Sequence, residues 1–315
     1  MYEQIASNKR RSAGYVGLFV VMWLGIGLLV GWIFAINSPS QPGVSAPVAK
    51  DITTGLIVAA LLALGAVVYT LTSGSRMVLA VAGARPADPQ RYQQLYNLVE
   101  ALAIGDGIPM PAVYVVEDRS PNAFATGVSP AKAAVTVTTG LLAIMDREEL
   151  EGVLGHELSH IKNYDTRLLL IVTTLLGMAG LLASLIWRSA FFARGGRGRN
   201  NNQFAMLLLL AGLLLAIVGF VVGPMIRLAL SRRRESLADA SSVELTRNPT
   251  GLIRALKTLQ TNDAPLVKAN HATAAMCIDD PLQHHESRIH RLFDTHPPIA
   301  ERIATLERME QGLTV

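Results

Sequence analysis

Four uninterrupted apolar runs divide the chain, at Tyr15–Ile36, Ile52–Leu71, Leu168–Trp187 and Phe204–Ile226. Each is close to the roughly 20 residues that a helix needs to cross the hydrocarbon core of a bilayer. None contains Asp, Glu, Lys or Arg, the side chains that cost most at the bilayer centre. Around them the pattern becomes that of a water-soluble domain in two pieces, Thr72–Arg167 and Leu230–Val315. In the first piece Tyr92, Leu95, Tyr96, Val99 and Leu102 recur at helical spacing. They predict a helix over Asp88–Ile104 that Gly105-Asp106-Gly107 ends. Ala112–Val116 and Ala133–Thr139 are rich in β-branched residues and predict strands, with NAFATG, Asn122–Gly127, between them. Gly140 opens a helix, and Asp146 caps another that contains REELEGVLGHELSHIKN. In the second piece the pattern predicts helices over Arg232–Thr246, Gly251–Gln260 and Ile299–Glu310. The polar stretch Thr261–Arg288 carries no periodicity, and there is no internal repeat.

Composition agrees with the apolar runs. Half of the residues are hydrophobic, only 17% are charged, and the mean hydropathy is +0.35. Soluble domains carry about 25% charged residues, so part of this surface faces something other than water. The expected fold is α+β and mostly helical, in an integral membrane protein with two N-terminal transmembrane helices. On this reading residues 1–71 form a membrane anchor, and residues 72–315 form a domain interrupted by a hydrophobic helical hairpin at 168–230. A cleaved leader does not fit Lys9-Arg10-Arg11 and the run behind it, because that run has 22 residues where a leader has about 7–15. The single cysteine, Cys277, excludes an intramolecular disulfide and a thiolate metal cluster. The pI near 9.3 does not point to nucleic acid, since the basic residues crowd the ends of the apolar runs, where they match lipid headgroups. By the positive-inside rule Lys9–Arg11 put the N-terminus in the cytoplasm, and after two spans Thr72–Arg167 as well. The second pair of runs is awkward: Arg188, Arg194, Arg197 and Arg199 lie in its loop. Either that loop breaks the rule or the pair does not fully cross.

The chemistry concentrates in HELSHIKNYD, His156 to Asp165. On a helix, positions four apart share a face, so His156 and His160 point the same way and can hold one divalent ion. Glu157 falls beside that ion, placed to take a proton from an attacking water and hand it to a leaving amine. The motif is short, and alone it leaves open an amphipathic helix with two incidental surface histidines. A catalytic zinc generally has three protein ligands, and the best candidate for the third is Glu235 in SRRRESLADA. Asp239 lies four residues on and would orient a histidine through its other ring nitrogen. The alternative for this pair is a solvated acidic patch balancing Arg232–Arg234. His284, His285 and His290 fit no motif and are expected on the surface.

HELSHIKNYD, RRRESLAD, NAFATG and DTHPPIAERI together resemble the HtpX-type membrane metalloproteases, relatives of the CAAX prenyl endopeptidases. The resemblance runs over nearly the whole chain. It implies a gluzincin-like zinc protease domain, with one Zn2+ on His156, His160 and Glu235, Glu157 as general base, and Asp239 supporting a ligand. It implies that Asn122, Ala123, Phe124, Ala125 and Gly127 form a strand edge on which an extended substrate is bound as an added strand. It implies that His296 and Arg302 stabilise the oxyanion. For those stretches an ordinary turn at Asn122–Gly127 and a helix cap with a surface Arg302 are the alternatives. Ser236 departs from the family, which more often has an aromatic there, and Asp165 fits the pattern without a firm role, a cap or a salt bridge near the membrane surface being the alternative. The implied activity is cleavage of misfolded or damaged membrane proteins in a quality-control or stress response. The implied location is the bacterial plasma membrane, with the site facing the cytoplasm. Its partners are then polypeptides and the lipid bilayer, with no nucleic acid. A processing protease for one defined substrate would use the same residues. A non-catalytic zinc-containing membrane chaperone is the rival from another class, against which Glu157 speaks, because a structural site needs no base.

Overall fold

The structure, a computed structural model, describes residues 2–37, 48–193, 212, 232–261 and 298–311. The apolar run at 204–226, apart from Gly212, lies outside the described residues, as do Cys277, His284, His285, His290 and His296. The described chain forms two compact units, one of residues 2–11, 73–170, 232–261 and 298–311, the other of residues 12–37, 48–72 and 171–193.

The second unit is built from long apolar helices. Helix α1 spans Tyr2–Asn37 and α2 spans Val48–Ala82, and both are long and apolar enough to cross a membrane. Their outer faces leave Leu18, Val21, Leu28, Trp32, Ile57, Leu61 and Leu64 exposed. Such a continuous apolar surface is unstable in water and suits lipid. Phe19, Trp23, Ala63, Ala66, Ile171 and Leu175 pack together on the inner side. Where α1 and α2 cross, small residues let the backbones touch: a Cβ on Gly55 would collide with the Gly27 carbonyl oxygen.

The first unit carries a four-stranded sheet in the order β1-β2-β4-β3, made of Arg85–Pro86, Ala112–Val116, Ala133–Thr138 and Ala123–Gly127. Strands β2 and β4 run parallel, from Ala112 opposite Ala134 to Val116 opposite Thr138. Strand β3 pairs antiparallel with β4, Ala123 opposite Val137 and Gly127 opposite Ala133, and forms one edge. Helices α3 (Gln93–Asp106), α4 (Thr139–Ile144) and α5 (Arg147–Lys162) follow the sequence pattern, and α6 (Asp165–Ala193) carries the third apolar run. Beyond it lie α7 (Arg232–Thr246), α8 (Pro249–Thr261) and α9 (Ile299–Glu310). The core joins Leu95, Leu98, Val99 and Leu102 of α3 and Val113, Val135 and Val137 of the sheet to Leu150, Val153, Leu154, Leu158 and Ile161 of α5.

One boundary differs from expectation, and one stretch open between strand and turn is decided, both for local reasons. Helix α3 starts at Gln93 rather than Asp88, because the Asp88 carboxylate accepts from the backbone N–H of Gln90 at 2.8 Å and Arg91 at 3.4 Å. That side-chain turn competes with helix formation. Asn122–Gly127 is not a turn: Ala123–Gly127 is a buried strand. The Thr138 hydroxyl holds the chain that leads into it, accepting from the Asn122 N–H at 2.9 Å and donating to the Ser120 carbonyl at 2.7 Å.

Candidate metal centre

Helix α5 starts at a capping box. The Asp146 carboxylate accepts from the Glu149 N–H at 2.9 Å, and the Glu149 side chain accepts from the Asp146 N–H at 3.0 Å, which satisfies two otherwise orphaned donors. One face of α5 enters the core. The other meets α7 and α8. Close approach is possible at Gly152, where a Cβ would lie 2.7 Å from the backbone nitrogen of Leu252. The Ser242 hydroxyl of α7 donates to the Gly152 carbonyl at 2.8 Å and fixes the register of the two helices. In that register Glu235 and Asp239, one turn apart on α7, face His156 and His160, one turn apart on α5.

The donor atoms converge. The Nε2 atoms of His156 and His160 are 3.2 Å apart, and the Glu235 carboxylate oxygens lie 3.6 and 3.7 Å from them. One donor atom from each residue fits within 4.8 Å of the others. With metal–ligand distances of about 2.0–2.2 Å and tetrahedral angles, ligand atoms on one ion stand about 3.3–3.6 Å apart. The donor set of two imidazoles and a carboxylate, and its spacing, therefore fit a divalent metal ion.

Each imidazole is set from behind by a carboxylate. Asp239 Oδ1 lies 2.8 Å from Nδ1 of His156, and Asp165 Oδ2 lies 3.1 Å from Nδ1 of His160. An Nδ1–H directed at a carboxylate leaves Nε2 free to ligate and fixes the ring plane. Arg302 in turn holds Asp239, its Nε and Nη2 donating to the two carboxylate oxygens at 3.0 and 2.7 Å. Burial would push the Asp239 carboxyl up, but the Arg302 guanidinium and the His156 contact hold it well below the usual carboxylate range. For His156, burial and Arg302 oppose protonation, yet hydrogen bonds to Asp239 and Glu235 carry the metal-free imidazole up to about 9. His160 is likewise raised, with burial opposing and Glu235 and Asp165 prevailing.

The residues singled out in the sequence fall as follows. His156, His160 and Glu235 come together, and Asp239 backs His156. Glu157 is buried at 3% exposure on α5, which also packs against β3. Asn122, Ala123, Phe124, Ala125 and Gly127 form that edge strand and its approach. Arg302 is also buried, on Asp239, rather than on the surface. His296 lies outside the described residues. Sequence reasoning allowed Asp165 a salt bridge but missed its partners: one oxygen accepts from Asn8 at 2.7 Å and faces Arg234 at 3.4 Å. No periodicity marks Asn8. The one available signal was an uncharged amide immediately before Lys9-Arg10-Arg11.

Known proteins share this arrangement of sequence. The profile of Peptidase family M48 matches residues 89–310. The protease HtpX homolog of Streptococcus gordonii is 41% identical over 98% of this chain and 100% of its own length. That of Lactobacillus helveticus is 40% identical over the same shares. Among solved structures, the crystal structure of S. mikatae Ste24p is similar at 18% identity and a TM-score of 0.47, over 98% of this chain and 67% of that one. The family profile covers most of the chain, and the HtpX homologs match it nearly end to end; the chain belongs to peptidase family M48, among its HtpX-type membrane metalloproteases.

Proposed function

We propose that the chain is a zinc metalloendopeptidase of the bacterial plasma membrane, hydrolysing misfolded or damaged membrane proteins from the cytoplasmic side. The observation that carries this reading is the convergence of His156, His160 and Glu235 within 4.8 Å, with buried Glu157 on the same helix. When bound there, zinc supplies Lewis acidity toward the scissile carbonyl and makes a water more acidic. Glu157 takes the proton of the attacking water and delivers it to the leaving amine. Asp239 and Asp165 hold the two imidazoles, and Arg302 holds Asp239. The edge position of β3 beside α5 supports binding of an extended substrate by strand addition along Asn122, Ala123, Phe124, Ala125 and Gly127. Strand addition selects for unfolded chain, because a folded domain has no free segment of that kind. His296 is assigned to the oxyanion on the motif DTHPP alone. Lys9–Arg11 support a cytoplasmic N-terminus, with residues 1–71 as anchor and 72–315 as protease domain. The family resemblance supports the quality-control role.

The full-length protein purified in detergent is expected to cleave an unfolded polypeptide and to stop when a zinc chelator is added. Glu157→Gln is expected to lose about 10²–10⁴ of the rate while keeping its metal. Activity that survives either treatment in full defeats the proposed reaction.

A further inference from the structure

Five positions separate His160 from Asp165, and an uninterrupted helix would turn them about 140° away from each other. They nevertheless meet, Nδ1 to Oδ2, at 3.1 Å. The chain brings them together by breaking between α5 and α6, where Tyr164 adopts a φ of 61°. A bulky side chain in that region is strained, and such a turn persists only where its surroundings hold it.

The holding groups come from the beginning of α1. Asn8 Nδ2 donates to the Asn163 carbonyl at 2.9 Å and to Oδ1 of Asp165 at 2.7 Å. The Lys9 ammonium lies 4.3 Å from the centre of the Tyr164 ring, within cation–π range. Three consecutive residues of the turn, 163–165, are thus each gripped by position 8 or 9. Asn8 has no exposed surface, so water cannot stand in for it while the fold is closed. Among the described residues the other donor to Oδ1 of Asp165, Arg234 Nη1, is 3.4 Å away, too long to fix the carboxylate by itself.

The geometry points to Asn8 as a positioning residue of the metal centre: the segment ahead of the first membrane span braces the 163–165 turn, so that Asp165 holds the His160 ring for the metal. This rests on the proposed metal site. The two ligand imidazoles are then set differently. His156 takes its orientation from Asp239 and Arg302, on α7 and α9. His160 takes its orientation from the N-terminal segment, seven residues before the apolar run that starts at Tyr15. Without Asn8 the Asp165 carboxylate keeps only the long Arg234 contact on Oδ1, and an incoming ion must do more of the ordering of the His160 ring.

The test uses full-length protein in detergent, stripped of metal and titrated with Co2+. Affinity is read by chelator competition, and ligand geometry by the visible absorption band of the bound ion. Asn8→Ala and Asn8→Ser are both expected to bind Co2+ roughly tenfold more weakly than wild type and to shift the band, with Asp165→Asn affected at least as much, up to about a hundredfold. Phe19→Ala, which opens the packing of the membrane unit, is the control for general destabilisation: it lowers the thermal midpoint and leaves band and affinity in place. Wild-type affinity and band in both Asn8 variants overturn the inference, and so does a loss no larger than that of Phe19→Ala. His156→Ala separates the two levels. Wild-type Co2+ binding in that variant defeats the metal site itself, whatever Asn8 does.

Discussion

The Arg302–Asp239 pair allows the structural argument to be tested quantitatively. Both side chains are almost fully buried, at 2% and 3% exposure, and two guanidinium nitrogens reach the carboxylate at 2.7 and 3.0 Å. Removing one member of such a pair strands a charge away from water, at a cost of about 3–5 kcal/mol. Arg302→Met leaves Asp239 buried with only the His156 ring as an opposing group among the contacts described. Asp239→Asn removes the guanidinium's hydrogen-bonded counter-charge and leaves it only the fields of Glu235 and Glu157. Each single variant of the metal-free protein should therefore unfold roughly 6–20 °C lower in detergent, at about 2–4 °C per kcal/mol. The double variant should lose far less than the sum, because neither member of the pair is left without the other, giving a coupling energy of about 2–3 kcal/mol. The assay is thermal unfolding followed by circular dichroism on all four proteins. Additive losses refute the buried pair.

The same variants decide what Arg302 does for the reaction. A group that holds Asp239 acts on the metal through His156, so its loss should weaken metal binding about 10–100-fold. A direct oxyanion donor behaves otherwise: its loss lowers kcat by about 10²–10³ and leaves metal affinity alone. A fall in kcat at unchanged affinity returns Arg302 to the role its motif implies.

The remaining predictions concern proton release, the edge strand and helix packing. Since the metal-free His156 imidazole carries a proton up to about 9, an ion must displace it. His160 is raised as well, so metal affinity should rise at least tenfold per pH unit through the neutral range and level off above about 9; a flat profile from pH 6 to 8, measured by chelator competition, contradicts the shift. Thr138→Val removes the hydroxyl that Asn122 and Leu141 N–H groups donate to, at 2.9 and 3.2 Å. Leaving those groups unsatisfied should cost about 1–3 kcal/mol and raise KM for unfolded substrate more than it lowers kcat. Gly152→Ala forces a Cβ to within 2.7 Å of the Leu252 backbone nitrogen. The two helices must part, at about 1–3 kcal/mol, so an unchanged thermal midpoint would show that α8 is not seated there.

Much of this was legible in the sequence, and the parts that were share a cause. The Asp146 cap, the face shared by His156 and His160, and the face shared by Glu235 and Asp239 depend on residues three or four apart on one helix. Periodicity reports that directly. The apolar runs at Tyr15–Ile36 and Ile52–Leu71 were legible for the same reason. Strand β1 escaped notice because Arg85–Pro86 is too short to alternate and contains a proline. Asn122–Gly127 is small and nearly featureless, and only its motif suggested a strand; what makes it one is a set of hydrogen bonds to Thr138 and to β4.

What could not be read is the layer of donors behind the carboxylates. Asn8 meets Asp165 across 157 positions, Arg234 meets it across 69, and Arg302 meets Asp239 across 63. No local pattern encodes such pairs, and each of these side chains taken alone passes for an ordinary polar surface residue. Yet the layer has a consistent logic: each imidazole is held by one carboxylate, and each carboxylate by donors from segments far along the chain. A donor set spaced for one ion requires all of those segments in place at once. An incompletely folded chain, lacking either α9 or the start of α1, would hold one ring and leave the other free. It would bind metal weakly for that reason, so metal affinity rises as the fold is completed.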